Sequence, residues 1–142
     1  MTIFLTSILT ISAFAGCQTA ENNTEINTVS MEANQTQTEI AQVSVTEAKK
    51  ALEENKSAQF IDVRTPAEYA GGHAVNAVNL PLDKLEAELA SLDKDKPVYV
   101  ICQTGRRSQK GSEILQKAGF EEIYNITGGT SEWIAAGLST EK

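Results

Sequence analysis

Cys102 ends an apolar run, PVYVIC, and is followed within six residues by Gly105, Arg106, Arg107 and Ser108. A thiolate is a strong nucleophile, but it forms near neutral pH only where cations or N–H donors surround the sulfur. The stretch ICQTGRRS supplies both. Gly105 permits a tight backbone turn. The N–H groups of a strand-to-helix turn converge as an anion-binding nest, and the start of a helix adds partial positive charge. The backbone amides of Gln103, Thr104, Gly105, Arg106 and Arg107 therefore form a candidate cradle. The two guanidinium groups are candidates for charge-assisted bonds to an anionic substrate. Taken alone, a cysteine in an apolar strand reads as a small hydrophobe; the glycine and the chain's one Arg-Arg pair, directly after it, point instead to an activated thiol facing a small anion.

The rest of the chain limits what that thiol serves. The chain has 142 residues and a formal net charge of -7, room for one domain. All 12 Lys and Arg lie at or after Lys49, whereas Glu21, Glu25, Glu32, Glu39 and Glu47 stand before it. No basic stripe exists, so nucleic-acid binding has no electrostatic footprint.

The first residues, MTIFLTSILTISAFAGC, differ from everything after them. Ile3 to Ala15 carries no charge and is shorter than the roughly 20 residues a membrane-spanning helix needs, but it suits the apolar region of a signal peptide. Its end, Phe14-Ala15-Gly16-Cys17, resembles the lipobox of bacterial lipoproteins. That resemblance implies a signal peptide over residues 1–16, lipidation of Cys17, export, and attachment to the cell envelope through the N-terminal lipid alone. Residues 17–42 are rich in Gln, Asn, Thr and Glu, with apolar residues scattered without period, and are expected to be a disordered tether. The Asn-x-Thr triplets at Asn22 and Asn34 are read as tether composition. A lipidated Cys17 leaves Cys102 without a disulfide partner, a lone thiol in an oxidising compartment.

From residue 43 to 142 the pattern is that of one α/β domain. Ser44 and Glu47 have capping-box spacing, and AKKALEEN continues a helix to about Asn55. AQFIDV, PVYVIC and EEIYNI read as buried strands, with a further strand around Val78 to Leu80. TPAEYA is a helical turn with Pro66 near its start, broken by Gly71-Gly72. Leu82, Leu85, Leu89 and Leu92 recur at helical spacing and predict an amphipathic helix over LDKLEAELASL. RSQKGSEILQKAGF is a helix closed by Gly119, and TSEWIAAG a last one. Such alternation predicts a mostly parallel sheet. Ligands of parallel sheets sit off the carboxyl ends of the strands, where Cys102 lies.

Four segments, in order, are similar to those of rhodanese-like sulfurtransferases. CQTGRRS resembles the family's Cys-x-x-Gly-x-Arg-Ser/Ala loop. FIDVRTPAEYAGGH, AVNAVNLP and ITGGTSEWIAAGL resemble its other signatures, so the likeness runs over about residues 43–139. Ala74 replaces a usual Ile, and Asn76 a common Gly. The resemblance implies a five-stranded parallel sheet flanked by helices on both faces. It implies that Cys102 takes a sulfane sulfur from a donor such as thiosulfate and passes it, as a persulfide, to a thiol or to cyanide. Carried over, residues 103–107 hold the persulfide, and Arg106 and Arg107 meet the substrate anion. Asp62, Arg64, Glu68 and His73 are expected to be structural near the site, the first three as an ion pair that orders loops. Trp133 is expected in the core or as a lid.

No cofactor is implied. His73 is the sole histidine, so a Cys/His metal site lacks ligands. The partners implied are a small sulfur-containing anion and an acceptor thiol, and nothing demands more than a monomer. Two other readings compete. Phosphatases and arsenate reductases of related fold use a Cys-x5-Arg loop; here four residues separate Cys102 from Arg107, one too few for a phosphate cradle. A non-turnover module that relays sulfur to, or binds, one protein partner fits the same residues.

Overall fold

The computed structural model describes residues 38–142. Signal peptide, lipidated Cys17 and most of the tether expected over 17–42 lie outside the described residues. The exception corrects that boundary. Ile40–Val43 form a strand, β1, paired parallel with the strand Ile123–Ile126 in the register Ile40↔Ile123 to Val43↔Ile126. Four residues at a sheet edge, only partly covered, carry no period of their own; the partner strand decides their conformation.

The chain continues through α1 (Val45–Glu54), β2 (Gln59–Asp62), α2 (Pro66–Ala70), β3 (His73–Ala74), β4 (Val78–Asn79), α3 (Leu85–Glu88), β5 (Val98–Ile101), α4 (Arg106–Lys117), β6 (Ile123–Ile126), α5 (Gly129–Ala135) and β7 (Thr140–Glu141). Five strands form one sheet in the order β1-β6-β5-β2-β4, every pairing parallel. Both faces are covered, so the central strands bury alternate residues in two different cores. Ile61, Val98, Val100 and Ile123 meet Leu85 of α3 and Leu115 of α4. Phe60, Tyr99, Ile101 and Ile126 meet Val45 and Ala48 of α1 and Trp133 of α5. Trp133 is core: it is 1% exposed, and its indole N–H donates to the Ser139 carbonyl at 3.0 Å.

Helix α1 begins with the expected capping box between Ser44 and Glu47, and α2 with a second between Thr65 and Glu68. The leucine-spaced helix is shorter than expected. Only Leu85–Glu88 are α-helical, followed by a 3-10 turn over Leu89–Ser91, and Lys84 at the N-terminus offers no side-chain cap. Leu82, Leu85, Leu89 and Leu92 all still pack onto the α3/α4 core. The spacing thus reported a buried stripe, which a short helix and a tighter turn satisfy as well as a long helix would. β3 and β7, which local pattern did not announce, pair antiparallel as a separate two-stranded sheet. Asn76, in place of a common glycine, adopts φ 69°, a left-handed conformation that asparagine tolerates better than most residues. No described helix is long and apolar enough to cross a membrane.

Candidate active site

β5 brings the chain to Cys102, and α4 carries it away from Arg106; between them the backbone folds round the sulfur. The Gly105 N–H donates to Cys102 Sγ at 3.2 Å, and its φ of 90° then turns the chain into α4. The hydroxyl of Ser108, in the first turn of α4, donates to the same sulfur at 3.4 Å. Cys102 is 1% exposed. Burial pushes its thiol up, yet hydrogen bonds from the Ser108 hydroxyl and from the backbone of Ser108, Thr104 and Gly105 outweigh burial and hold it below its ordinary value. The donors round the sulfur thus favour its thiolate form against the effect of burial. Among the described residues it is a free thiol.

The loop is held from behind by the β6–α5 turn. The N–H and hydroxyl of Thr130 both donate to the Cys102 carbonyl, at 2.8 and 3.2 Å, and the Ser131 N–H donates to the Gln103 carbonyl at 3.2 Å. Gly129, at φ 58°, lies so close that a Cβ there would stand 2.3 Å from the Cys102 carbonyl oxygen. Sequence reasoning assigned no site role to Ser108, Thr130, Ser131 or Gly129. The one available signal was the segment GGTS, whose paired glycines permit a close backbone approach.

The expected ion pair forms in part. Arg64 Nε bonds both carboxylate oxygens of Asp62, at 3.0 and 2.9 Å, and Nη2 bonds Oδ2 at 2.7 Å. Both residues are buried. Arg64 also donates to the Gly72 carbonyl at 2.9 Å and to Gln103 Oε1 at 3.2 Å. Gln103 Nε2 then reaches Ser131 Oγ at 2.8 Å, so this side chain is a strut between β2 and the β6–α5 turn.

Glu68 belongs to another pair. It takes a bidentate clamp from Arg107, at 2.8 and 2.6 Å, geometry that favours guanidinium over ammonium. Arg107, expected to meet the substrate anion, has its planar fork matched by a carboxylate 39 residues away in the chain. The Glu68 hydrogen bonds chiefly raise Arg107, burial opposes them, and the nearby Cys102 and Asp62 charges add to the rise. Arg106, the other arginine of the pair, is exposed.

The clamp has a pH signature. Hydrogen bonds from Arg107 hold Glu68 at about 2, against an ordinary 4.5. A carboxylate lowered on folding contributes stability above its unfolded value and loses it as pH falls through the folded one. Wild type is expected to melt a few degrees above Glu68→Gln at neutral pH, with the difference shrinking between 4.5 and about 2; thermal melts across that range read it directly.

His73 is remote in role. Its Nδ1 lies 3.0 Å from the Tyr69 carbonyl, its ring stacks on Tyr69 with centroids 3.6 Å apart, and Nε2 is 3.6 Å from Glu141 of β7. It fastens β3 and β7, as a structural residue does. A cleft of about 440 Å³ opens beside Arg107, between Thr65-Pro66 and Pro81-Leu82, with Lys84 at its rim. A larger one, about 840 Å³, is lined by no cradle residue: Phe60, Val78 and Trp133 lie along it, near the amino ends of β2 and β4.

Residues 44–136 match the family model for the rhodanese-like domain. The chain belongs to the rhodanese-like family. Strand β1 precedes the matched span. Among curated rhodanese relatives, the uncharacterized protein YqhL of Bacillus subtilis is 45% identical over 78 residues, 55% of this chain and 62% of that protein. The putative sulfur carrier protein YrkF of B. subtilis is 30% identical over 94 residues, 66% of this chain and 51% of that protein. The chain thus spans less than two thirds of these two relatives. Thiosulfate sulfurtransferase GlpE of Vibrio cholerae is 35% identical over 94 residues, 66% of this chain and 89% of that protein. The crystal structure of a rhodanese-like domain protein from Staphylococcus aureus superimposes with a TM-score of 0.61 at 35% identity, over 66% of this chain and 91% of that one.

Proposed function

We propose that this rhodanese-like protein is an exported, membrane-tethered sulfurtransferase that moves sulfane sulfur through a persulfide on Cys102. One observation carries the reading: a buried thiol whose sulfur accepts the Gly105 N–H and the Ser108 hydroxyl. With thiosulfate as donor, the Cys102 thiolate attacks the outer sulfur. The S–S bond of the donor breaks, and sulfite leaves with its electron pair. The outer sulfur of the new persulfide carries the negative charge, and the N–H groups of the cradle stabilise that charge in place of water. An acceptor thiolate then attacks this outer sulfur and leaves as a persulfide, returning Cys102 to the thiolate. Arg106 draws the anionic donor in; the Arg107–Glu68 clamp holds α2 against the start of α4. The similarity to a thiosulfate sulfurtransferase of V. cholerae supports this donor class. The loop length, with four residues between Cys102 and Arg107, speaks against phosphate.

Purified wild type incubated with thiosulfate is expected to gain about 32 Da, one sulfur, on Cys102, and to turn over when a thiol is added. Loading without turnover favours the second reading, a relay for one protein partner, which the similarity to a putative sulfur carrier protein supports. No loading and no turnover sinks both. Tethering rests on the apolar run Ile3 to Ala15 followed by Cys17. In a bacterial host, wild type should fractionate with membranes and Cys17→Ser should not, and equal fractionation would remove the lipid anchor.

A further inference from the structure

Asn125, on β6, is 3% exposed and lies on the face that α4 covers. Three oxygens share the two hydrogens of its Nδ2: Gln42 Oε1 of β1 at 2.7 Å, Gln109 Oε1 of α4 at 3.1 Å and, in a longer shared contact, the Gly105 carbonyl at 3.5 Å. Gln42 Nε2 in turn donates to Gln109 Oε1 at 2.9 Å, and Gln109 Nε2 to Glu113 Oε1 at 3.2 Å. A carboxylate can only accept, so Glu113 sets the direction of the whole chain of amides. Gln109 must turn its nitrogen to Glu113 and its oxygen inward, and Asn125 must offer its NH2 there. The cluster ends at the residue that binds the sulfur. The Gly105 carbonyl also receives the Gln109 backbone N–H at 3.2 Å, and its own N–H is on Cys102 Sγ.

This arrangement is an odd way to fill a sheet position. Asn125 Oδ1 is buried without a partner, a cost that an apolar side chain would not carry. An asparagine between Tyr124 and Ile126 therefore weakens the packing of β6 unless its donor group is used.

We propose that Asn125 and Gln42 are positioning residues for the sulfur cradle: β1, outside the span matched to the family, is joined through their amides to the Gly105 carbonyl, one Cα away from the N–H that meets the sulfur. The proposal rests on the reading of Cys102 as the sulfur carrier. Asn125 Nδ2 and the Gln109 backbone hold the Gly105 carbonyl from two sides, and Gln42 fixes the plane of Asn125. A shift of that carbonyl carries the Gly105 Cα with it and so displaces the N–H on the sulfur, where a geometric error is felt directly in the chemistry. The charged group that interacts with the thiol is Arg107 of α4, itself paired with Glu68 of α2; the Asp62–Arg64 pair lies at the end of β2, and none of these is altered by substitutions in the amide cluster.

The test uses the full-length chain with Asn125→Val, Gln42→Ala and both together. Three readouts are taken: the pH dependence of Cys102 alkylation by iodoacetamide, kcat/KM for transfer from thiosulfate to a thiol, and the thermal midpoint. Asn125→Val should move the alkylation profile to higher pH and lower kcat/KM by roughly tenfold, the scale of one lost hydrogen bond, without lowering the thermal midpoint. Gln42→Ala should act in the same direction by about threefold. The double variant should fall short of the product of the two single effects, because Gln42 acts largely through Asn125. A wild-type alkylation profile in Asn125→Val and Gln42→Ala overturns the proposal, whatever happens to the melting temperature. Gln42 is exposed, so Gln42→Ala decides the matter should Asn125→Val fail to fold. Alkylation reads the thiol whether or not it carries sulfur; shifted alkylation in a chain that never transfers sulfur would keep the positioning role and reject the proposed reaction.

Discussion

Cys102→Ser is expected to lower sulfur transfer by at least about a thousandfold, because a serine hydroxyl neither ionises near neutral pH nor forms a persulfide. The fold should barely register the change. The serine oxygen inherits the Gly105 N–H and the Ser108 hydroxyl as partners, so it is not left buried and unsatisfied, and the stability change should stay within about 1 kcal/mol. Intact mass after thiosulfate treatment should show no added sulfur, and the thermal midpoint should stay close to wild type. Transfer that survived the substitution would remove Cys102 as the nucleophile and the cradle as the site.

Gly129→Ala is expected to have the largest structural effect of any single methyl added near the site. The new Cβ would lie 2.3 Å from the Cys102 carbonyl oxygen, 2.6 Å from the Gln103 carbonyl carbon and 2.7 Å from its oxygen. These are backbone atoms of the cradle, so relief requires moving the loop itself. The left-handed φ of 58° adds about 1–2 kcal/mol for a non-glycine residue. Collision and strain together should cost roughly 3 kcal/mol or more, a fall of at least about 10 °C in thermal midpoint. Sulfur transfer should drop about a hundredfold through the displaced amides. Gly128→Ala is the control. Its φ is 76°, but its Cβ would meet the side chain of Glu132, which is exposed and can swing away. It should cost only the left-handed strain and leave transfer within a fewfold of wild type. Equal behaviour of the two variants would mean that the close approach of α5 to the loop is not what holds the cradle.

The residues of the cradle were legible because the device is contiguous. Cysteine at a strand end, glycine at the turn and the start of a helix are all local, and local backbone geometry aims the donors. Ser108 was visible in the same stretch, but its role was not: one helical turn has to form before its hydroxyl meets the sulfur. The Ser44–Glu47 cap was likewise readable from spacing of three. The leucines of 82–92 reported the face they bury but not the length of helix that buries it, since the period is a property of the core they meet.

Other features had no local trace. The Arg107–Glu68 clamp joins residues 39 positions apart, and nothing in RRS tells which arginine is taken. β1 is a strand because β6 lies beside it, and Thr130 supports the Cys102 carbonyl because α5 starts under the loop. By itself, the sequence determined the candidate thiol, the loop that folds round it and the α/β order of elements, all set by short-range geometry. Only the tertiary structure decided which arginine Glu68 clamps, that Ile40–Val43 join the sheet and what backs the loop. Those depend on partners that meet only when distant strands and helices are packed together.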